Sequence, residues 1–148
     1  MSRIADVMNL RVVSVRPDET VAVAIARMLE ENMGSVAVCE GHELRGIFTE
    51  RDVLRLAGHG PALSELKVAD VMTRAVVTIS PDDDALAAAK LMGERQIRHL
   101  PVVQDGMLLG MVGIRDVLRS LVELLWRDRD VEARETAREL LRRSPTVR

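Results

Sequence analysis

The sequence predicts an α+β protein: two β-α-β-β-α repeats packed face to face with pseudo-two-fold symmetry, followed by a C-terminal helical tail. The first observation is the stretch at 46–54, Gly-Ile-Phe-Thr-Glu-Arg-Asp-Val-Leu, which is typical of a strand that runs into a helix. It returns 64 positions later, at 110–118, as Gly-Met-Val-Gly-Ile-Arg-Asp-Val-Leu. The same shift carries Asp-Val-Met at 6–8 onto 70–72. Such repetition predicts two copies of one structural unit.

The repeat divides the chain into four parts. The segment between the two copies contains two Gly and one Pro, which is typical of a linker. A three-stranded unit of about 55 residues leaves one face of its sheet uncovered and is marginal alone. The copies are therefore expected to cover each other, which creates two equivalent clefts near helix starts. We predict repeat 1 at 1–56, a linker at 57–67, repeat 2 at 68–120 and a helical extension at 121–148.

The elements of the first repeat follow from local patterns. Val12-Val13-Ser14-Val15 is rich in β-branched residues and predicts a strand, which Pro17 ends. Asp18 is a suitable N-cap for the helix that follows. Apolar residues at three- and four-residue spacing between Val21 and Leu29 predict that this helix packs on a sheet. The predicted elements are a strand at 12–15, a helix at 19–32, strands at 35–39 and 44–48, and a helix at 49–56.

The second repeat follows the same order, and the chain then continues beyond it. We predict a strand at 76–79, a helix at 81–96 and a hairpin turning at Asp105-Gly106, since Asp-Gly is a strong hairpin signal. The helical pattern continues to Trp126, and the charged segment after it carries a narrow apolar stripe. This tail predicts a helix packed on the protein or on a second subunit, with a solvated helix as the alternative.

Composition excludes several classes of function. The chain is 47% hydrophobic but 1% aromatic and has a formal charge of −2, which disfavours nucleic acid as a partner because base stacking and a basic surface are both missing. No stretch approaches 18 consecutive apolar residues, and the N-terminus has no signal-peptide core, so we expect a cytosolic protein with no membrane contact. The one cysteine, Cys39, ends an apolar run and is expected to pack in the core.

Three motifs together make the sequence resemble the CBS-domain family, in the form of a stand-alone tandem pair (a Bateman module) of the kind found in many small bacterial proteins. They are Asp-Val-Met at the start of each repeat, Arg-His-Leu-Pro-Val-Val at 98–103, and Gly-x-apolar-x-x-x-Asp-apolar-Leu in both repeats. The resemblance covers residues 4–120. It implies the β-α-β-β-α fold, dimerisation through helices, and clefts that bind adenosine-containing ligands such as AMP, ADP, ATP or S-adenosylmethionine.

The pair Thr49-x-x-Asp52 suits such a ligand chemically. A helix N-terminus offers free N–H groups and a positive dipole end to a phosphate, and Thr49 adds a hydroxyl. One turn later, the two oxygens of Asp52 can accept both hydrogens of a ribose diol. The same spacing is also close to a capping box, which requires no ligand. Taken alone, the pair favours the cap, and the repeat and the family resemblance favour the binding site.

The two copies differ at these positions. Thr49 becomes Gly113, and Gly34-Ser35 becomes Arg98-His99, so one copy alone carries cationic donors. The resemblance implies that such basic residues reach the phosphates of a nucleotide whose ribose is held by the first repeat. We therefore predict one strong nucleotide site formed by Met8, Val13, Met33, Thr49, Asp52, Arg98 and His99. The second cleft, at Val77, Ile97, Gly113 and Asp116, is expected to be weak, empty or adapted to a ligand without phosphate.

Two of these assignments have plain alternatives. Arg98 could instead form an ordinary ion pair with Asp52 or Asp116. His99 could be a packed or solvent-facing side chain before a strand.

The leading functional hypothesis is a non-catalytic sensor whose ligand binding changes its own dimer or an effector protein. The alternative is a structural module that binds another protein: its clefts are vestigial, and its C-terminal tail is the interaction surface. No nucleophile with a nearby base, no Walker loop and no cluster with metal-ligand spacing is present in the sequence, so an enzyme is disfavoured and neither a metal nor a required cofactor is expected.

Overall fold

The computed structural model describes residues 2–59, 62–127 and 131–143, which form seven helices and five strands. This content confirms the α+β class, and the order of elements confirms the two repeats and the C-terminal helix. The elements are α1 (Ile4–Val7), β1 (Ser14–Val15), α2 (Val21–Glu30), β2 (Ser35–Glu40), β3 (Glu43–Thr49), α3 (Glu50–His59), α4 (Val68–Val71), α5 (Ala85–Arg95), β4 (His99–Gln104), β5 (Met107–Gly113), α6 (Ile114–Arg127) and α7 (Val131–Arg143).

The hydrogen-bonded strand order is β1-β2-β3-β5-β4. β1 runs parallel to β2, and β2 pairs antiparallel with β3 in a register that sets Ser35 opposite Thr49. β3 pairs with β5 through Glu43 and Met107. The turn between β4 and β5 has positive φ at both Asp105 (53°) and Gly106 (78°). Two such residues match the twist of the flanking strands, so the predicted Asp-Gly hairpin is confirmed.

Several predicted elements in the first part of each repeat begin later in the structure, including the strand predicted from 12, which begins at Ser14, and the helix predicted from 81, which begins at Ala85. The strand predicted at 76–79 is a single bridge between Ile79 and Val102. The helix predicted from 19 begins at Val21, because Thr20 and not Asp18 is the N-cap: its hydroxyl accepts from the Val23 N–H at 3.3 Å. The Asp18 carboxylate is bound instead by Arg16 at 3.2 Å. Asp84, which lies 64 positions after Thr20, caps α5 in the same way: its carboxylate accepts from the Ala87 N–H.

The chain forms two compact units that do not coincide with its two sequence repeats. Unit 1 combines the described residues among 1–10, 78–104 and 109–148, and unit 2 combines those among 11–77 and 105–108. The opening segment of each repeat therefore belongs to the same unit as the body of the other repeat.

Matching backbone hydrogen bonds hold the opening segment in each unit. In unit 1 the Ile4 N–H donates to Asp83 O at 2.7 Å, and Asn9 exchanges two bonds with Met111 at 2.8 and 3.0 Å. In unit 2 the Val68 N–H donates to Glu19 O at 2.9 Å, and Thr73 exchanges two bonds with Ile47, both at 2.9 Å. Each pair corresponds to the other by the shift of 64 positions. The internal repeat thus extends from the sequence to the hydrogen bonds of both units.

Glycine is required where the opening segment crosses a strand. A Cβ placed on Gly46 would lie 2.6 Å from Met72 Sδ and 2.9 Å from the carbonyl oxygen of Thr73. A Cβ on Gly110 would lie 2.8 Å from Asn9 O and 3.0 Å from Met8 Sδ. Real Cβ atoms do not approach this closely. The glycine that opens the repeated stretch is therefore explained by the methionine segment that crosses it.

The core of unit 2 is aliphatic around one aromatic ring. Phe48 is fully buried between α2, β2 and the opening segment of the second repeat. In unit 1 the small residues of α5 lie against α1, α6 and α7. The tail helix α7 is thus packed on the protein, as predicted. Other buried members of the unit 2 core are Val15, Val21, Ala24, Met28, Val36, Val38, Val68 and Met72.

Replacing Gly46 by alanine should lower the free energy of unfolding by about 1–3 kcal/mol, because the backbone oxygen of Thr73 cannot move away freely. The matched control is Gly58→Ala in α3, where a Cβ meets nothing within 4 Å. There the loss of glycine's backbone freedom should leave stability unchanged or raise it by up to about 1 kcal/mol. Urea denaturation followed by circular dichroism measures both changes. Equal effects of the two substitutions would contradict the proposed crossing.

Candidate functional site

The start of α3 in unit 2 is held by two side chains three residues apart. The backbone N–H and the hydroxyl of Thr49 both donate to Asp52 Oδ2, at 2.9 and 3.1 Å. The Asp52 N–H donates back to Thr49 Oγ1 at 3.4 Å. These reciprocal bonds form the capping box that was the structural alternative. Asp52 Oδ1 faces Arg55 at 3.6 Å, and because a carboxylate accepts about four hydrogen bonds, the cap does not use its full acceptor capacity.

The loop before β2 is tied to the same helix start. Asn32 has positive φ (52°) and ends α2, and the Met33 N–H returns to Met28 O at 2.9 Å. The first N–H of α3, from Glu50, donates to Gly34 O at 3.0 Å. Met33 and Gly34 are therefore fixed beside the N-terminus of α3.

Ser35 is a polar residue of this region that the sequence analysis did not select. It is 4% exposed, and its hydroxyl has no hydrogen-bond partner among the described residues. It lies opposite Thr49 in the β2–β3 register, and paired residues of an antiparallel ladder have side chains on the same face. A register deduced from the turn at 40–43 would have placed Ser35 opposite Phe48 instead, because an irregularity between Val38 and Cys39 shifts the pairing by one residue.

Unit 1 builds the equivalent arrangement with different side chains. The Gly113 N–H donates to Asp116 Oδ2 at 3.3 Å, so half of the capping box remains. The Ile114 N–H donates to Arg98 O at 2.8 Å. A Cβ on Gly113 would lie 3.5 Å from the His99 ring. Ile97 follows the left-handed Gln96, as Met33 follows Asn32. Unit 1 thus gathers Ile97, Arg98, His99, Gly113 and Asp116 at the start of α6.

The two helix starts differ in charge and exposure. The side chain of Asp52 is 7% exposed, whereas that of Asp116 is 34% exposed. At the start of α3 a second carboxylate, from Glu50, lies against Gly34, and α6 has the apolar Ile114 at the same position. The start of α3 therefore carries two carboxylates, and the start of α6 carries one carboxylate near Arg98 and His99.

The residues of the predicted strong site are divided between the units. Val13, Met33, Thr49 and Asp52 belong to unit 2, and Met8, Arg98 and His99 belong to unit 1. Their assignment to one ligand stays a prediction. In the second set, Val77 belongs to unit 2 and the other three residues to unit 1.

The structure shows which groups contact several of the predicted site residues. Val13 accepts a hydrogen bond from the Ala37 N–H at 3.0 Å, and Met8 packs at Gly110. The ion-pair partners of Asp52 and Asp116 are Arg55 and Arg119, each at 3.6 Å. The Arg98 side chain is exposed.

The described part of the chain also bears on metal binding, membrane insertion and thiol chemistry. No group of three or more His, Cys, Asp or Glu side chains within residues 2–59, 62–127 and 131–143 could hold a metal ion. None of the helices described here is long and apolar enough to cross a membrane. Cys39 is buried, and this burial raises its pKa because the thiolate is poorly solvated there. A thiol of this kind is unreactive near neutral pH, in agreement with a packing role.

A scan against models of known protein families decides the family. The model of the CBS domain matches twice, at residues 4–59 and 68–123. The chain belongs to the CBS-domain family. Both matches contain the opening segment, the hairpin and the capped helix of one sequence repeat, so this protein is a tandem CBS pair. Helix α7 lies beyond the second match.

Three known proteins are similar to this CBS pair over most of its length. It is 40% identical over 111 residues to the mitochondrial CBS domain-containing protein CBSX3 of Arabidopsis thaliana, matching 71% of this chain and 54% of that protein. The chain thus spans about half the length of that relative. It is 34% identical over 118 residues to YhcV of Bacillus subtilis, matching 79% of this chain and 84% of YhcV. The structure of CBSX2 in complex with AMP aligns with a TM-score of 0.74 at 26% identity, covering 84% and 99% of the two chains.

The incomplete cap of α6 allows a direct test of the capping chemistry. A side chain fits at Gly113, because its Cβ would be in ordinary contact with Asp116 and His99 and the backbone is not left-handed. Gly113→Thr should be more stable than Gly113→Ala by about 0.5–2 kcal/mol, since a threonine hydroxyl caps a helix and a methyl group does not. Thermal unfolding of the two variants measures this difference. Equal melting temperatures would mean that the hydroxyl forms no cap here.

Proposed function

We propose that this CBS pair is a non-catalytic regulatory module that binds an adenosine-containing ligand, with AMP as the first candidate and ADP, ATP and S-adenosylmethionine as the others. The observation that carries the proposal is the carboxylate one turn into a helix in each unit, Asp52 in α3 and Asp116 in α6, within a fold shared with the AMP complex of CBSX2.

In this proposal, Asp52 binds the ribose of the ligand. Its Oδ1 is the less occupied oxygen, since both Thr49 bonds go to Oδ2. Hydrogen bonds to an ionised group are stronger than those between neutral groups, and the near-complete burial of Asp52 limits competition from water. The aliphatic side chains of Val13 and Met33, together with Met8, are proposed as contacts for the base, because the family site must be lined here without aromatic residues.

In this proposal, Arg98 and His99 bind the phosphate of the ligand. Arg98 contributes its backbone oxygen to the fold and leaves its exposed guanidinium available to a ligand. A guanidinium can bind two phosphate oxygens at once. The second set of residues, around Asp116 and Gly113, is proposed to hold a hydroxyl-bearing ligand more weakly, because its carboxylate is more exposed and its cap lacks the threonine hydroxyl.

The output of binding is proposed to be a change in a homodimer or in an effector protein. A ligand shifts a conformational equilibrium only as far as its affinity differs between the two states. The capping box offers one such difference, because a ligand hydroxyl at Asp52 shares the carboxylate that holds the start of α3.

A second candidate function is an interaction module whose clefts no longer bind ligand. Two observations favour it for part of the molecule: Gly34-Ser35 supplies no cation at α3, and Gly113 supplies no hydroxyl at α6. Wild-type protein that binds none of the four ligands would favour this function.

Asp52→Asn should weaken the binding of AMP about tenfold or more, because the amide loses one acceptor and the negative charge. Isothermal titration calorimetry measures the affinity, and circular dichroism checks that the helix start is retained. Asp116→Asn is the matched control and should change AMP affinity less. An unchanged affinity in Asp52→Asn would overturn the ribose assignment.

Arg98→Ala should weaken the binding of AMP about tenfold or more while leaving adenosine affinity unchanged, since adenosine lacks the phosphate. The fold should be retained, because the hydrogen bond that Arg98 makes to Ile114 comes from its backbone. Titration of both ligands against both proteins measures the contrast. Equal losses for AMP and adenosine would contradict a phosphate contact.

A further inference from the structure

Helix α7 creates a surface that the CBS-domain match does not include. The match ends at residue 123, and α7 begins at Val131. α7 packs on α5 and α6, with Ala137 and Leu140 each 4% exposed. The remaining apolar side of the helix is not covered, since Leu141 is 64% exposed. The tail therefore both closes part of unit 1 and presents a new apolar face.

A groove of about 290 Å³ lies between α6 and α7. This volume is at the lower end of the roughly 300–1,000 Å³ found for pockets that enclose small molecules, and it suits one large side chain. We call it the α6–α7 groove. It is lined by Leu118, Val122 and Leu125 of α6 and by Arg134, Ala137, Arg138 and Leu141 of α7.

The chain's one tryptophan is exposed next to this groove. Trp126 is 85% exposed and follows Leu125, which lines the groove. It lies four residues after Val122, so the two side chains share a face of α6. A large aromatic side chain exposed beside an apolar groove is typical of an interaction surface, because its burial contributes strongly to association.

The charges beside Trp126 and those lining the α6–α7 groove are complementary. Arg134 and Arg138 contribute guanidinium groups to the α6–α7 groove, and Glu123 lies one turn before Trp126 on α6. Within the described residues, none of these three forms an ion pair. The protruding side thus carries an aromatic ring with a carboxylate, and the receiving side carries an apolar floor with two cations.

We propose that the α6–α7 groove binds Trp126 of a second copy of this chain, and that the exchange is reciprocal. Because the projecting ring and the groove lie on the same face, a two-fold axis lets each copy supply both. In this arrangement Glu123 of each copy meets Arg134 and Arg138 of the other, and the indole face is open to a guanidinium. The inference names the surface for the proposed homodimer and does not depend on nucleotide binding.

Sedimentation equilibrium of the full chain over a range of concentrations tests the proposal. Wild type should form a dimer, and Trp126→Ala should raise the dimer dissociation constant at least about tenfold, as expected for a central tryptophan. The matched control is Leu10→Ala, a side chain that is 74% exposed, lies outside the helices and should leave the dimer unchanged. A monomeric wild type, or a dimer weakened by Leu10→Ala and not by Trp126→Ala, would overturn the proposal.

Reversing the charges tests whether the occupant of the α6–α7 groove is a second copy of this chain or a different molecule. Glu123→Lys alone, and Arg134→Glu with Arg138→Glu, should each weaken the dimer because like charges then face each other. Combining all three substitutions in one chain should restore it, since the pair is rebuilt with reversed sign. Failure of this rescue, with each set of substitutions folded by circular dichroism, would overturn the reciprocal contact and favour a different protein or an amphipathic anion in the groove.

The same variants distinguish this inference from the proposed function. Trp126→Ala should still bind AMP in titration calorimetry, because no residue assigned to the ligand lies on this face. Any difference from the wild-type affinity measures the coupling between ligand and dimer, since such coupling is reciprocal. A dimer that follows the charge rule while no adenosine ligand binds would support the dimer and contradict the nucleotide sensor.

Discussion

The close passage of one backbone over another at Gly46 and Gly110 is the constraint on which the rest of the structure depends. At each glycine, the methionine segment that opens one repeat crosses a strand of the other, with contacts that leave no room for a Cβ. The crossing segment then completes the core of the unit it joins. Neither repeat contains all the parts of one compact unit, so a single repeat cannot bury its own core and the pair must fold as two exchanged halves.

Each capped helix starts directly from a strand of its own repeat. β3 leads directly into α3 and β5 into α6, and the loop before the partner strand is tied to the first N–H of each helix. Two copies of one scaffold then carry different chemistry: acceptors around Asp52, and cations around Arg98. The hydrogen bonds that cap α3 use the same carboxylate, Asp52, that is proposed to bind the ligand, so we expect stability and binding to be coupled at this position.

Helix α7 adds to the family fold a face that the two repeats do not supply. By packing on the small residues of α5 and on α6, it converts part of an outer helix surface into a groove with its own charge pattern. The exposed Trp126 beside that groove is the chain's largest uncovered apolar side chain. The residues proposed to bind the ligand and those proposed to form the dimer are therefore different, and each set can be substituted separately.

The sequence by itself determined the two repeats, the Asp105-Gly106 hairpin and the helix start at Thr49-x-x-Asp52, because each depends on residues close together in the chain. It also determined the family, through two motifs that occur in both repeats and one, at 98–103, that occurs once. The tertiary structure alone decided which strand each opening segment crosses, why Gly46 and Gly110 are needed, and that the hydroxyl of Ser35 is buried opposite Thr49. It also decided that Thr20 caps α2 while Asp18 binds Arg16. These features depend on contacts between distant segments, and local preference does not specify the partner.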